Sequence, residues 1–239
     1  MKRVILFSNG LDSVVLKAWV ERNKHKEGDI LIPVYFNYNS ELFEVERKYL
    51  PKETRVIHCD FTEGIMHEWP EASKCGYLGQ TWIPGRNLTL MAMAVSRFLP
   101  DEIYYGVSVK ENIVNYADKD DEFVRLAENV LSKVSYKPVK IFRPFVDLNL
   151  DKPGIVTLCK KLGIIDEKRN SISCMNLEKN PCGKCHKCIS RYLAFKANGL
   201  DDKEYPFNIL ETEEAKKIIA KSLRLKELKD YVDSGNILV

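Results

Sequence analysis

Short apolar runs alternate with segments of helical periodicity from the first residues of this chain, and that alternation most narrows what it can fold into. Arg3-Val4-Ile5-Leu6-Phe7 reads as a strand and Ser8-Asn9-Gly10-Leu11-Asp12-Ser13 as a tight loop, after which Val14, Val15, Ala18 and Trp19 recur at helical spacing. A second strand is expected over Ile30 to Phe36, a helix over Glu41 to Tyr49 and a third strand over Thr54 to His58. Ile83-Pro84-Gly85-Arg86-Asn87 is a turn opening an apolar helix over Leu88 to Phe98, and Glu102 to Val107 is a further strand. Asp120 to Val134 reads as a surface helix, Val139 to Phe142 as extended, and Asp151 to Leu162 as a helix stopped by Gly163. Strands alternating with helices imply an α/β, Rossmann-like fold, a mostly parallel sheet with helices on both faces.

With 239 residues and 45% hydrophobic composition the chain can build one full core and a small appendage. A formal charge of +3 is too slight for a protein that coats nucleic acid. No apolar run approaches the roughly 18 residues of a membrane span, and no signal-peptide core follows Met1-Lys2-Arg3, so a cytoplasmic protein is expected. From Asn170 to Arg191 the chain turns polar and Cys-rich, with few periodic apolar residues. We therefore expect an α/β domain over 1–168, a four-cysteine segment over 169–200 packed on it, and a helical tail over 201–239. In the tail, Leu223, Leu225, Leu228 and Val232 form an apolar stripe that either makes an interface or folds back on the core.

The first loop has two readings. Backbone N–H groups of a small-residue loop can converge on an anion at the positive end of a helix, with Ser8 and Ser13 adding hydroxyls and Gly10 the freedom for positive φ. Asp12 would then help to hold a phosphate-bound Mg²⁺. Alternatively, Asp12 or Ser13 merely caps a helix after a turn. The loop is neither a Walker A sequence nor the dinucleotide glycine triplet.

Cys174, Cys182, Cys185 and Cys188 give Cys-x7-Cys-x2-Cys-x2-Cys, in which two-residue gaps turn neighbouring thiolates onto one ion. Four thiolates leave no open position, so a structural zinc, one per chain, is expected. His186 is a competing ligand, and an iron–sulfur cluster or a knuckle contacting nucleic acid through Lys179, Lys184, Lys187 and Arg191 are the other uses of such a pattern. Cys59, Cys75 and Cys159 read as core or incidental thiols.

Together these segments carry a resemblance. Ser8-Asn9-Gly10-Leu11-Asp12-Ser13 resembles the Ser-Gly-Gly-X-Asp-Ser loop of the N-type ATP pyrophosphatases (PP-loop proteins), with Asn9 in place of a glycine. Ser173-Cys174, then Cys182-Gly183-Lys184-Cys185-His186-Lys187-Cys188 and Arg191, is similar to the metal segment of the 7-cyano-7-deazaguanine synthases, the QueC family. Trp82-Ile83-Pro84-Gly85-Arg86-Asn87 resembles that family's Val-Pro-Gly-Arg-Asn turn. Gly106-Val107 with Tyr116-Ala117-Asp118 and Glu122-Phe123 resembles its substrate-base segment. The family's Asp-Tyr-Gly-Gln-Arg-His appears as Asn37-Tyr38-Asn39-Ser40-Glu41-Leu42, without the basic pair, and Lys119-Asp120 replaces a Cys-Arg.

The resemblance implies an adenine-nucleotide α-hydrolase (HUP-like) fold. It also implies an ATP-dependent carbon–nitrogen ligase that takes 7-carboxy-7-deazaguanine and ammonia to the nitrile through an amide. Ser8, Asn9, Gly10, Leu11, Asp12, Ser13 and Arg86 would bind ATP, with Asp12, Ser13 and Arg86 catalytic. Gly106, Tyr116 and Asp118 would bind the base, and Tyr38 and Tyr116 either stack on bases or pack. Zn²⁺ at the cysteines, Mg²⁺ with ATP and a homodimer are implied, with no membrane or nucleic-acid partner. Two alternatives remain open at this point: a PP-loop enzyme modifying tRNA, and a deazapurine- or nucleotide-binding protein with diverted or lost catalysis.

Overall fold

The computed structural model describes residues 1–37, 43–59, 85–109, 117–165, 171–174, 181–202, 205 and 207–238. Strand β1 (Lys2–Leu6) leads into helix α1 (Leu11–Asn23), β2 (Ile30–Asn37), α2 (Phe43–Glu46) and β3 (Arg55–His58). There follow α3 (Arg86–Phe98), β4 (Glu102–Tyr105), α4 (Asp121–Ser135), β5 (Lys140–Phe142), α5 (Pro144–Asp147) and α6 (Lys152–Lys161). The C-terminal part adds α7 (His186–Lys196), α8 (Glu213–Ala220) and α9 (Leu223–Asp233).

The five strands form one sheet in the order β3-β2-β1-β4-β5, and every pair is parallel. Side chains alternate across it as a strand requires. Ile5 and Tyr104 point to one face and pack with Leu11, Val15, Ile155, Val156 and Phe195 of α1, α6 and α7. Val4, Ile103 and Tyr105 point to the other, against Met91, Ala94 and Val95 of α3 and Ala127 and Leu131 of α4. Both faces are therefore covered, and the expected apolar helix face of α3 is core at Met91 and Val95, with Ala92 partly buried against it and Leu88 at its exposed margin.

Three sequence expectations change. The helix expected over Glu41 to Tyr49 is a single turn, α2, running into a 3₁₀ turn over Arg47–Tyr49, and Glu41 and Leu42 lie outside the described residues. The cysteine-rich stretch is less irregular than its polarity suggested, because α7 starts inside it. Cys188, Ile189, Tyr192 and Leu193 are buried there, the thiol taking the place of an apolar side chain in the periodicity. The tail is two helices, broken where Ser222 caps α9 by accepting from the Leu225 amide at 3.4 Å. It folds back rather than standing free: Ala215, Ile219 and Leu225 are buried beside Cys174, Cys185 and Cys188, with Leu228 and Val232 partly buried, while Leu223 is exposed. Cys159 is fully buried in the α1–α6 core, Cys59 is half-buried, and Cys75 lies outside the described residues. Among the described residues no helix is long and apolar enough to cross a membrane.

Candidate functional site

In this strand order the chain leaves β1 toward β2 on one side and returns to β4 on the other, so the order in which strands are added reverses between β1 and β4. Open parallel sheets bind ligands outside the carboxyl ends of their strands at such a reversal. A cavity of about 410 Å³ lies there, reached by Leu6, Ser8, Gly10 and Asp12 from one strand end and Tyr105 and Gly106 from the other. A Cβ on Gly106 would stand 3.5 Å from Asp12, so the chain leaving β4 passes close against the first turn of α1.

The loop is built differently from the sequence expectation in two respects. Positive φ falls on Asn9, at 54°, while Gly10 is extended at φ −74°, ψ 162°. Gly10 instead matters for its missing side chain, since a Cβ would meet Ser8 Oγ at 3.3 Å. Asn9 is buried and lines a separate cavity of about 270 Å³ behind the loop, so it stands away from the main cavity rather than crowding it. Asp12 does not cap α1. The N-cap is Gly10 without a side-chain bond, Ser13 Oγ donates to the Gly10 carbonyl at 3.0 Å, and the Asp12 carboxylate pairs with Lys152 Nζ at 2.6 Å. Asp12 in the first turn is thus held by a cation inside the cavity, with its capping role left unused.

Opposite the loop, Gly85 at φ 67° turns the chain into α3 so that Arg86 and Asn87 line the cavity. Asn87 Nδ2 donates to Asp118 Oδ2 at 2.9 Å, which places Asp118 one hydrogen bond behind the cavity wall. Asp118 sits in a 3₁₀ turn over Ala117–Lys119 and does not cap α4; Asp120 does, accepting from the Phe123 amide at 2.7 Å. That turn is held by buried Arg143, whose guanidinium bonds the Lys119 carbonyl and Asp121. Tyr38, Tyr116, Pro84, Ile83 and Trp82 lie outside the described residues.

Among the described residues four cations line the cavity, Arg86, Lys119, Lys152 and Lys187, against two carboxylates, Asp12 and Glu46. Glu46 accepts from the Tyr35 hydroxyl, and burial pushes its carboxyl above the ordinary range, with that hydrogen bond opposing. Burial also raises the pKa of the Tyr105 hydroxyl, a buried group without a hydrogen-bond partner among the described residues.

Lys152, Asn87 and Glu46 had no assigned role in the sequence, and Lys187 figured only in the alternative of a knuckle contacting nucleic acid. One signal was available: Lys152 is the first residue of α6, where a positive charge opposes the helix dipole, so its position asks for an acidic partner elsewhere. Asn87 stood in the turn motif, whereas nothing in the sequence around Glu46 or Arg143 marked them.

The four cysteines meet as their spacing predicted. Their sulfurs all lie within 4.8 Å of one another, with Cys185 to Cys188 at 3.4 Å and Cys182 to Cys188 at 3.9 Å. A tetrahedral ion with bonds near 2.3 Å needs sulfur–sulfur edges of about 3.8 Å. Amides support the thiolate form, Cys182 N–H donating to Cys174 Sγ at 3.2 Å and Lys184 N–H to Cys182 Sγ at 3.4 Å. The residues therefore fit a four-thiolate metal centre, and His186 is not in the cluster.

Residues 61–199 match the family model for the queuosine biosynthesis protein QueC. The chain belongs to the QueC family. A 7-cyano-7-deazaguanine synthase of Pyrococcus furiosus is 30% identical over 80% of this chain and 92% of its own length. One from a Nitratiruptor species is 30% identical over 85% and 97%, and 7-cyano-7-deazaguanine synthase 1 of Colwellia psychrerythraea is 27% identical over 84% and 96%. Among solved structures, the U34-tRNA thiolase NcsA of Methanococcus maripaludis, with its 4Fe-4S cluster, aligns over 98% of this chain and 70% of its own. At 15% identity and TM-score 0.47 the likeness is too slight to bear on the metal. In this QueC protein the loop, the Gly-Arg-Asn turn and the cysteine lobe thus border one cavity, lined by Ser8, Asp12, Arg86, Asn87, Cys174 and Lys187.

Proposed function

We propose that this chain is an ATP-dependent carbon–nitrogen ligase that converts 7-carboxy-7-deazaguanine and ammonia to 7-cyano-7-deazaguanine in the queuosine pathway. What carries the reading is the convergence just described, in a chain of the QueC family, at the reversal point of a parallel sheet. A carboxylate is a poor electrophile until one oxygen becomes a leaving group. Attack of that oxygen on the α-phosphorus of ATP releases pyrophosphate and gives an acyl adenylate. Ammonia then displaces AMP, losing a proton, and leaves the amide. A second ATP adenylates the amide oxygen, and loss of AMP with the nitrogen's protons gives the nitrile.

The protein's part in this is positioning and charge. The α1 N-terminus and the Ser8 and Ser13 hydroxyls would hold phosphate oxygens, and Arg86 would offset charge as pyrophosphate departs. Asp12 would hold Mg²⁺ on the phosphates, releasing Lys152 to bind phosphate in turn. Asp118, steadied by Asn87, would accept from the N–H donors of the guanine-type edge, with Gly106 giving the base close access and Tyr116 also binding it. Cys174, Cys182, Cys185 and Cys188 would hold one structural zinc, whose contribution is to the lobe's order and not to a chemical step. We place with this reading a homodimeric cytoplasmic enzyme.

The test is a mass-spectrometric assay of the metal-loaded protein with Mg²⁺-ATP, ammonium and 7-carboxy-7-deazaguanine, following AMP, amide and nitrile together. Nitrile with AMP is expected. ATP turnover is lost in Asp12→Ala with the fold intact, and unchanged turnover in that variant refutes the loop assignment.

A further inference from the structure

The segment Ser171–Cys174 touches both halves of the site. Ile172 donates its amide to the Asn9 carbonyl at 2.9 Å, and its own carbonyl lies 3.6 Å from where a Gly10 Cβ would stand. Asn9 holds φ 54°, a left-handed conformation that asparagine tolerates best after glycine, and a bond from a neighbouring segment helps to keep it there. Two residues on, Cys174 is a member of the four-thiol cluster. Between these ends the segment is gripped by Arg191. Its Nη1 donates to the Ser171 carbonyl and to Ser171 Oγ, both at 2.9 Å, and to Ser173 Oγ at 3.2 Å, while Nε donates to Asp202 at 2.6 Å. Arg191 is 1% exposed, and it stands on α7 one helical turn beyond Cys188. The same turn of helix therefore carries a thiol of the cluster and the clamp on the loop's support.

We propose that Arg191 is a positioning residue that couples the four-cysteine metal centre to the phosphate loop, so that metal and nucleotide stabilise each other's binding. The inference rests on the reading of the loop as a nucleotide site. A cation held by Cys174 and Cys188 fixes both sides of the clamp. Arg191 then fixes the Ile172 amide, and that amide holds the Asn9 peptide in the left-handed turn that aims the following N–H groups into the cavity. Coupling of this kind is reciprocal: a nucleotide that needs the ordered loop tightens the metal by the factor by which the metal tightens the nucleotide.

The experiment uses the metal-loaded full chain, its metal content measured by mass spectrometry. Metal affinity is determined by competition with a chromophoric chelator, with and without a saturating, non-hydrolysable ATP analogue and Mg²⁺. In the native protein the analogue is expected to raise metal affinity about fivefold or more. Arg191→Met is expected to weaken analogue binding by about fivefold or more while the metal stays bound, and to abolish the effect of the analogue on metal affinity. Arg191→Lys restores part of both. Because Arg191→Met strands the buried Asp202 carboxylate, Ser171→Ala serves as a milder variant that removes one acceptor, with a smaller loss in the same two readouts. Metal affinity indifferent to saturating analogue in the native protein overturns the coupling without any variant. So does Arg191→Met with a full complement of metal and native analogue affinity. A native protein that binds no analogue overturns the nucleotide reading and this inference together, a result distinct from the other two.

Discussion

Lys152→Met is the substitution on which the electrostatic description of the cavity can be tested most sharply. Lys152 Nζ stands 2.6 Å from Asp12 Oδ1, and the two side chains keep only 12% and 19% of their exposure. Exposed pairs contribute about 0.2–1 kcal/mol, whereas breaking a fully buried pair by removing one partner costs about 3–5 kcal/mol. A pair at this exposure lies between those limits, so removing the ammonium should cost about 2 kcal/mol, most of it from the carboxylate left facing an apolar chain. In a domain of this size each kcal/mol moves the melting temperature by about 2–4 °C, which gives a fall of about 4–8 °C. The double variant Asp12→Asn/Lys152→Met leaves no uncompensated charge and should recover most of that loss, a coupling that a double-mutant cycle reads directly. Calorimetry of the four proteins near neutral pH measures it. The exposed pair Lys216–Glu213, with side chains 58% and 74% exposed, supplies the control. If Lys152→Met lowers the melting temperature no more than Lys216→Ala does, the Lys152 ammonium is solvated and the argument that Asp12 is held by it fails.

Glu46, with its carboxyl raised by burial, binds its proton more tightly in the folded chain than the ordinary value of 4.5 allows in the unfolded one. Stability from this group is therefore full below the ordinary value and is lost as pH rises through the raised one; Glu46→Gln should flatten that fall in a plot of melting temperature against pH. Stripping metal from the cysteines should unfold the C-terminal lobe, seen as lost helical circular dichroism from α7, α8 and α9, because three of the thiols belong to the only cluster that packs α8 and α9 among the described residues. An unchanged spectrum with the metal gone would show that the lobe's apolar contacts suffice. Asn87→Ala should raise KM for the deazapurine about tenfold at unchanged KM for ATP, the loss of a hydrogen bond to a charged group of about 1.5 kcal/mol. Equal changes in both constants would place Asn87 on the nucleotide instead.

The parallel sheet was legible because its signals are local: apolar runs such as Ile30 to Phe36 and stops such as Gly163 need no partner to be recognised. The cysteine cluster was legible for the same reason, its spacing being a property of the chain. What the sequence concealed depends on long-range contact. Lys152 meets Asp12 across 140 residues, and Arg143 reaches back to Lys119 and Asp121. The start of α7 was hidden because two of its buried residues, Cys188 and Arg191, are read in the sequence as a metal ligand and a surface charge and not as part of an apolar face. In the loop, the residue types were recognised but the backbone was not: the positive φ belongs to Asn9, whose carbonyl accepts from the Ile172 amide of the distant lobe.

The slight overall charge of +3 also concealed how the cavity favours anions, because the favourable field comes mostly from geometry. Four helices of ten or more residues begin at its wall: α1 beside Asp12, α3 at Arg86, α6 at Lys152 and α7 beside Lys187. Each carries a partial positive charge worth about half an elementary charge in the macrodipole description, which at α6 the capping Asp151 carboxylate partly offsets by accepting from the Gly154 amide. Lys152 and Arg86 each occupy the first position of a helix, where their own charges are disfavoured by that dipole. Such placement is unfavourable for folding unless an anion offsets it, and in the described residues Asp12 supplies one for Lys152. Among the described residues, a polyphosphate entering here would meet four cations and four helix ends against two carboxylates. One of those carboxylates is already bonded to a lysine and the other, Glu46, is shifted toward its neutral form. The ligand's charge is thus matched by where the helices start, a property set by the reversal of strand order between β1 and β4 and not by the composition of the chain.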